Sequence, residues 1–291
     1  MNILVTGSNG QLGNEIRRLS AGSGHNFIFT DVTEQEGAET VKLDITDIST
    51  VRLVAESESV DAIVNCAAYT NVDKAEDDEE TADLLNHRAP ENLAIVAKEC
   101  GAAMIHISTD YVFGGDRSTP IKEEETPSPE SAYGRTKLAG EKAVRATGCK
   151  YIIIRTAWLY SPYGKNFLKT MRNLTSANRT VKVVFDQVGT PTCAADLAAL
   201  ILHIIDNGQL DRTGIYHFSN EGAVSWFDFA HEICTLSGND CEIVPCLSSE
   251  FPSKVKRPHY SVLDKGKVRE VFGFVPPYWR DSLEKCIERL R

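Results

Sequence analysis

Tyr133 and Lys137 stand four residues apart in the run Tyr133-Gly-Arg-Thr-Lys137, and a proton donor can be built from these two side chains. On a helix, positions i and i+4 share one face, a turn apart. A phenol with an unperturbed pKa of about 10 is a poor acid at neutral pH. An ammonium within a few ångströms stabilises the phenolate and brings the group toward the working range. Thr109 ends a predicted strand ahead of this helix, where its hydroxyl could align a carbonyl toward Tyr133. The tyrosine–lysine spacing is common by itself. Strand, hydroxyl and helix in this order make it informative.

A second chemical element opens the chain, in Gly7-Ser-Asn-Gly10-Gln-Leu-Gly13. Glycine at such a turn allows a positive φ and close approach of the backbone to a pyrophosphate. The helix that follows offers free N–H groups and a partial positive charge to the anion. The spacing GxxGxxG has a first turn one residue longer than the usual dinucleotide fingerprint. Asp31 ends the next predicted strand. A carboxylate there accepts both adenosine-ribose hydroxyls and repels a 2′-phosphate, which favours NAD(H) over NADP(H). A solvated strand-end aspartate is the other reading. Asp44 and Ile45 follow the apolar pair Val41 and Leu43 and could bracket an adenine. Asn65-Cys-Ala-Ala-Tyr-Thr70 is rich in small residues, which suits either close passage of a dinucleotide or simple strand–helix packing.

These residues need a frame that gathers them. The first half alternates short apolar runs with helix-length amphipathic stretches, the pattern of βαβ units feeding a parallel sheet. Strands are predicted at Ile3–Thr6, Phe27–Asp31, Ala62–Asn65, Ala103–Ser108 and Tyr151–Arg155. Helices are predicted at Leu12–Ser20, Ser49–Ser57, Glu80–Glu99 and Ala132–Ala146. The expected fold is α/β, a doubly wound parallel sheet of Rossmann type over residues 1–155. A smaller C-terminal substrate lobe is expected over 156–291, with segments such as 181–200 returning to the sheet. In that lobe Val181–Phe185 and Gly214–Phe218 read as strands, Trp226–Leu236 and Trp279–Leu290 as helices. The acidic run Lys122–Pro129 reads as a solvated loop.

Composition narrows the partners. A formal net charge of −10 over 291 residues argues against duplex nucleic acid or an anionic membrane, both of which require clustered cations. No run approaches the roughly 20 apolar residues of a membrane span. The first strand starts at the initiator Met without a basic leader, so no signal peptide is expected and the location reads as cytoplasmic. Eight cysteines show no zinc-like or redox spacing, so reduced thiols are expected and no metal site is assigned.

With these residues placed, the chain resembles the extended short-chain dehydrogenase/reductases, and within them the dTDP-4-dehydrorhamnose reductase family. The resemblance spans essentially the whole chain. It rests on Gly10-Gln-Leu-Gly13, Val64–Glu76, His106-Ile-Ser-Thr-Asp-Tyr-Val-Phe113, Tyr133–Glu141, Arg155-Thr-Ala-Trp158, Asn166–Met171 and Asp186–Thr192. It implies cofactor contacts from Gly7, Gly10, Gln11, Leu12, Gly13, Asp31, Asp44, Ile45, Ala68, Tyr69, Thr70, Tyr133 and Lys137. Thr109, Tyr133 and Lys137 would be catalytic. Thr109, Asp110 and Trp158 would contact a dTDP-sugar, with Tyr111 and Asn166 as further candidates, and Trp158 could equally be core. The implied reaction is reduction of the C4 ketone of dTDP-4-dehydro-6-deoxy-L-mannose by NADH or NADPH. An epimerase or dehydratase of the same superfamily, or a non-catalytic cofactor-binding subunit, stays open from the residues alone. The resemblance also allows a homodimer and Mg2+, for which the sequence offers no identifiable ligands.

Overall fold

A computed structural model describes residues 1–34, 37–251 and 253–291. Seven strands form the main sheet. In chain order the first six are β1 (Asn2–Thr6), β2 (Asn26–Asp31), β3 (Val41–Lys42), β4 (Ala62–Asn65), β5 (Ala103–Thr109) and β6 (Lys150–Thr156). They lie in the order β6-β5-β4-β1-β2-β3, all parallel, and Gly214–His217 adds a seventh parallel strand beyond β6. The order reverses at β1. At such a point the loops after adjacent strands diverge, which opens a crevice at their carboxyl ends.

The apolar runs explain the sheet. Side chains alternate faces along a strand, so Ile3, Val5, Ala62, Val64, Ile105, Ile152 and Ile154 form one core. Leu4, Ile63, Met104 and Ile153 join the other. Helices α1 (Gln11–Leu19), Ala194–Asp206 and Gly266–Phe272 cover the first face. Helix α2 (Ile48–Ser57) lies on the second. Next come two short helices, α3 (Val72–Ala75) and α4 (Glu79–Asp83). Then α5 (Ala89–Cys100) and α6 (Ala132–Thr147) complete the second face. Each Leu or Ile removed from water here contributes roughly 1.5–3 kcal/mol.

Four sequence expectations change. The predicted helix Glu80–Glu99 is interrupted by a π turn at Leu84–Arg88, joining α4 to α5. Gly214–His217 pairs with β6 and belongs to the main sheet, because Tyr216 buries its ring in the first-face core. Within 181–200, strand Thr180–Val184 pairs with Glu242–Cys246 away from that sheet, whereas the helix starting at Ala194 packs on α1. The acidic run is also not wholly solvated, since the Glu123 carboxylate accepts a 3.0 Å bond from the His217 amide.

The remaining chain builds a third core from Tyr160, Leu168, Phe229, Ile233, Trp279 and Leu283. Its helices Phe167–Ala177, Trp226–Ser237 and Trp279–Glu288 pack around short two-stranded pairings. Ser225 and Asp228 form a reciprocal capping box that starts the Trp226 helix. The described cysteines are all free thiols. Among the described residues, no helix is long and apolar enough to cross a membrane.

Candidate active site

The glycine turn is shaped by contact as much as by φ. Gly7 has φ +64°, and a Cβ there would lie 2.6 Å from the Ala67 amide nitrogen, so the turn abuts the loop after β4. A Cβ at Gly13 would come within 2.4 Å of the Ser8 backbone, so α1 presses onto its own approach loop. Gly10 is the N-cap of α1 and adds no side-chain cap, leaving the first N–H groups of the helix open toward the crevice. Asp31 stands at the end of β2. Its carboxylate accepts from the Asn9 amide at 3.1 Å and from the Thr33 amide and hydroxyl at 3.2 Å each. These features fit a dinucleotide, since the backbone can approach its pyrophosphate and a carboxylate stands at the ribose position.

Other expected contacts sort by exposure. Leu12 and Ile45 bury their side chains in the two sheet cores, leaving main-chain atoms for a ligand. Asp44 is exposed, with its carboxylate drawn to Thr46. Gln11 braces the lobes, accepting from Ser161 Oγ at 3.0 Å and from Asn166 Nδ2 at 2.9 Å. Asn166 caps the Phe167 helix through its oxygen and donates its amide to Gln11, Ser161 O and Tyr163 O. Its amide hydrogens are thereby occupied, and its evident role is structural. Ala68 and Tyr69 are half-buried and Thr70 exposed on the loop after β4.

Sequence reasoning missed the residue that holds this loop. Asn86, buried in the π turn, accepts from the Tyr69 amide at 2.9 Å, and its amide donates to Tyr69 O and to Thr136 Oγ1 on α6. A Cβ at Gly140 would sit 2.0 Å from Asn86 O, so α6 can pass only because residue 140 is glycine. Single π turns inside α-helices recur at functional sites, but no local sequence pattern announces one.

Tyr133 and Lys137 sit on α6 beside β5, at the same sheet edge as the glycine turn. Lys137 is 2% exposed, and its Nζ donates to Ile107 O at 2.6 Å. Burial lowers its pKa to about 8, with Glu141 opposing. Burial pushes the Tyr133 phenol well up, and a hydrogen bond with Thr109 opposes this. The expected dominance of Lys137 over the phenol is therefore corrected. Desolvation, reinforced by Asp110 and Tyr111, outweighs the Thr109 hydrogen bond and keeps the phenol protonated.

Thr109 caps the short turn after β5, accepting from the Tyr111 amide at 3.2 Å and donating to Asp110 Oδ1 at 3.1 Å. Asp110 is buried, which raises its pKa to about 6, with hydrogen bonds from Ser261 and Thr109 opposing the rise. The Tyr111 ring meets Tyr133 edge-on, centroids 5.6 Å apart. Trp158 has φ +49°, a left-handed conformation costing about 1–3 kcal/mol in a non-glycine residue. Its indole stacks on Trp226 at 3.5 Å. Strain of this kind gathers at functional sites.

Two further groups support the centre. Arg155 on β6 forms a bidentate pair with Glu141, at 2.9 and 2.7 Å, and Ser108 donates to the same carboxylate at 2.5 Å. This buried pair fixes α6 against β5 and β6. Behind it, Thr6, Asn65 and His106 link β1, β4 and β5 by hydrogen bonds of 2.7 and 3.0 Å. Burial and the Lys137 charge hold His106 far below its ordinary pKa, hence neutral. Among the described residues, no group of three or more His, Cys, Asp or Glu is gathered as a metal site.

The family model described as RmlD substrate binding domain matches residues 1–291. A dTDP-4-dehydrorhamnose reductase of Mycolicibacterium smegmatis is 39% identical over 98% of this chain and 84% of its own length. The chain belongs to the dTDP-4-dehydrorhamnose reductase family. The enzyme of that name from Escherichia coli is 37% identical over all of this chain and 98% of its own. Among solved structures, a family member from Clostridium acetobutylicum superposes with TM-score 0.92 and 44% identity, covering 100% of this chain and 99% of the other. One from Bacillus anthracis in complex with NADP gives TM-score 0.91 and 35% identity, covering 99% of each chain. A UDP-glucose 4-epimerase of Thermus thermophilus, at 18% identity and TM-score 0.84 over 100% of this chain and 99% of that one, shares the fold. Membership makes this chain an NAD(P)-dependent oxidoreductase with a Rossmann-type sheet.

Proposed function

We propose that this chain reduces the C4 ketone of dTDP-4-dehydro-6-deoxy-L-mannose to give dTDP-L-rhamnose. The observation that carries the reading is the meeting of Thr109, Tyr133 and Lys137 beside the glycine turn, at the sheet's C-terminal edge. The relatives of full length named as reductases of this substrate support it.

The nicotinamide, when bound, supplies the hydride that goes to C4. The chain's own residues do the rest. The Thr109 hydroxyl aligns the carbonyl, and the Tyr133 phenol, kept protonated by burial, delivers its proton to the carbonyl oxygen as negative charge develops there. The Lys137 ammonium steadies the phenolate left behind. Trp158 and Trp226 wall the sugar side, and Asn86 keeps the loop after β4 in place against α6. Binding of the remote nucleotide holds the reacting sugar in position.

Both nicotinamide cofactors fit this site. A carboxylate has about four lone-pair positions, and the Asp31 contacts with Asn9 and Thr33 already use three. That weakens its grip on two ribose hydroxyls and so its bias toward NAD(H). Incubation with the keto-sugar and either reduced cofactor tests the reading by loss of nicotinamide absorbance. Stoichiometric oxidation is expected. Unchanged absorbance with authentic keto-sugar would overturn the proposal in favour of chemistry that returns the hydride to the same molecule.

A further inference from the structure

The proposed substrate carries a diphosphate, yet the chain is acidic overall and the ammonium of Lys137 is buried against a main-chain carbonyl. A diphosphate needs cations from elsewhere. The segment Ser253–Tyr260 of the second lobe brings three to the first lobe. Lys254 pairs with Asp77, Lys256 with Glu130 at 3.0 Å, and Arg257 Nη2 with Asp73 Oδ2 at 3.0 Å. The segment is seated by the Tyr260 amide donating to Gly115 O at 3.2 Å and by Pro258, which would clash with any Cβ at Gly115.

Arg257 differs from the two lysines. It is the least exposed of the three, and its charge acts on the Tyr111 phenol, opposing the rise that burial imposes there, while the Tyr111 ring abuts Tyr133. It therefore stands one ring away from the proton donor. Its pairing with Asp73 uses a single oxygen, and Asp73 Oδ1 is buried without a hydrogen-bond partner among the described residues. The pair is not the two-pronged fork that makes an arginine–carboxylate contact strong. A guanidinium suits phosphate geometry, and partly exposed ion pairs are weak and screened by salt.

The geometry points to Arg257 as the counter-ion of the nucleotide-sugar diphosphate, releasing Asp73 to take a phosphate oxygen when substrate enters. This rests on the reading that a nucleoside diphosphate sugar is the substrate.

Calorimetric titration of the NADPH-loaded protein with dTDP and with thymidine tests the inference. Arg257→Gln should weaken dTDP at least about tenfold, the scale of a lost charge-assisted hydrogen bond, and leave thymidine unchanged. Asp73→Asn removes the competing carboxylate and should tighten dTDP a fewfold. A merely structural tie would make both variants bind dTDP more weakly, and that result overturns the inference. So does equal dTDP affinity in wild type and Arg257→Gln. If the wild type turns over the keto-sugar while Arg257→Gln keeps its KM, the inference fails and the proposed reaction stands. If the wild type neither binds dTDP nor oxidises cofactor, the reaction itself is wrong.

Discussion

Lys137 Nζ lies 2.6 Å from the carbonyl oxygen of Ile107, so the α6 helix is stapled to β5 two residues before Thr109. That contact orders the ammonium and buries it together with its charge. Burial lowers the pKa to about 8, well inside the range a rate profile can read. The ammonium exists below that value and is lost above it. The kcat/KM profile should therefore fall as pH rises through about 8, and a profile flat to pH 9.5 would reject a protonated Lys137 as the competent form.

Tyr133 is the proton donor of the proposed reaction. Tyr133→Phe removes the acidic hydrogen and keeps the ring that packs against Ala75, Ala82 and Ala132. Turnover should drop at least about a hundredfold, the usual scale for loss of a general acid. NADPH titration by fluorescence should give an unchanged Kd. An undiminished rate would assign the proton to another group.

Asp110 is buried beside Thr109 with a pKa raised from 3.8 to about 6. Because the folded value lies above the unfolded one, the neutral acid favours folding, and that advantage disappears as pH climbs between the two. Asp110→Asn removes the penalty of burying the anion. Its stability relative to wild type should improve between pH 4 and pH 8 by about 2 kcal/mol, read from urea midpoints at each pH. A difference independent of pH would show that the anion is not desolvated.

Gln11 and Asn166 share one hydrogen bond across the lobes. Each truncation to alanine should cost about 1–2 kcal/mol, the Asn166 change including loss of the helix cap. The double variant should cost less than the sum, since the common bond is removed once. Strict additivity in denaturant unfolding would mean that the bond is not formed in solution.

The main sheet was legible because parallel strands buried on both faces read as unbroken apolar runs. Ala62–Asn65 has the predicted ends, and β1, β2, β5 and β6 differ from prediction by a residue or two. The Tyr133–Lys137 pair was visible for a related reason, since a helix fixes which residues share a face. The second lobe resisted reading. Two of its three small strand pairings have only two residues per strand, too short for any alternation to show. The helix Ala194–Asp206 lacked an amphipathic signature, being wedged between the sheet and its neighbours and apolar on most sides. The supports of the site lay beyond local pattern altogether. Glu141 and Arg155 meet through a helix–strand crossing, and Arg257 reaches Asp73 across 184 positions of chain.

The π turn at Leu84–Arg88 carries one more residue than an α-helical turn would need to cover the same rise. Deleting a single position there would let the backbone return to regular hydrogen bonding and make the rod more regular. The deletion would also rotate everything on one side by about 100° relative to the other. Asn86 would then swing off the Tyr69 main chain, and the loop it holds would lose its anchor. Chain length between residues 79 and 100 is thus constrained to the residue, and a shortened version needs a new tether for that loop.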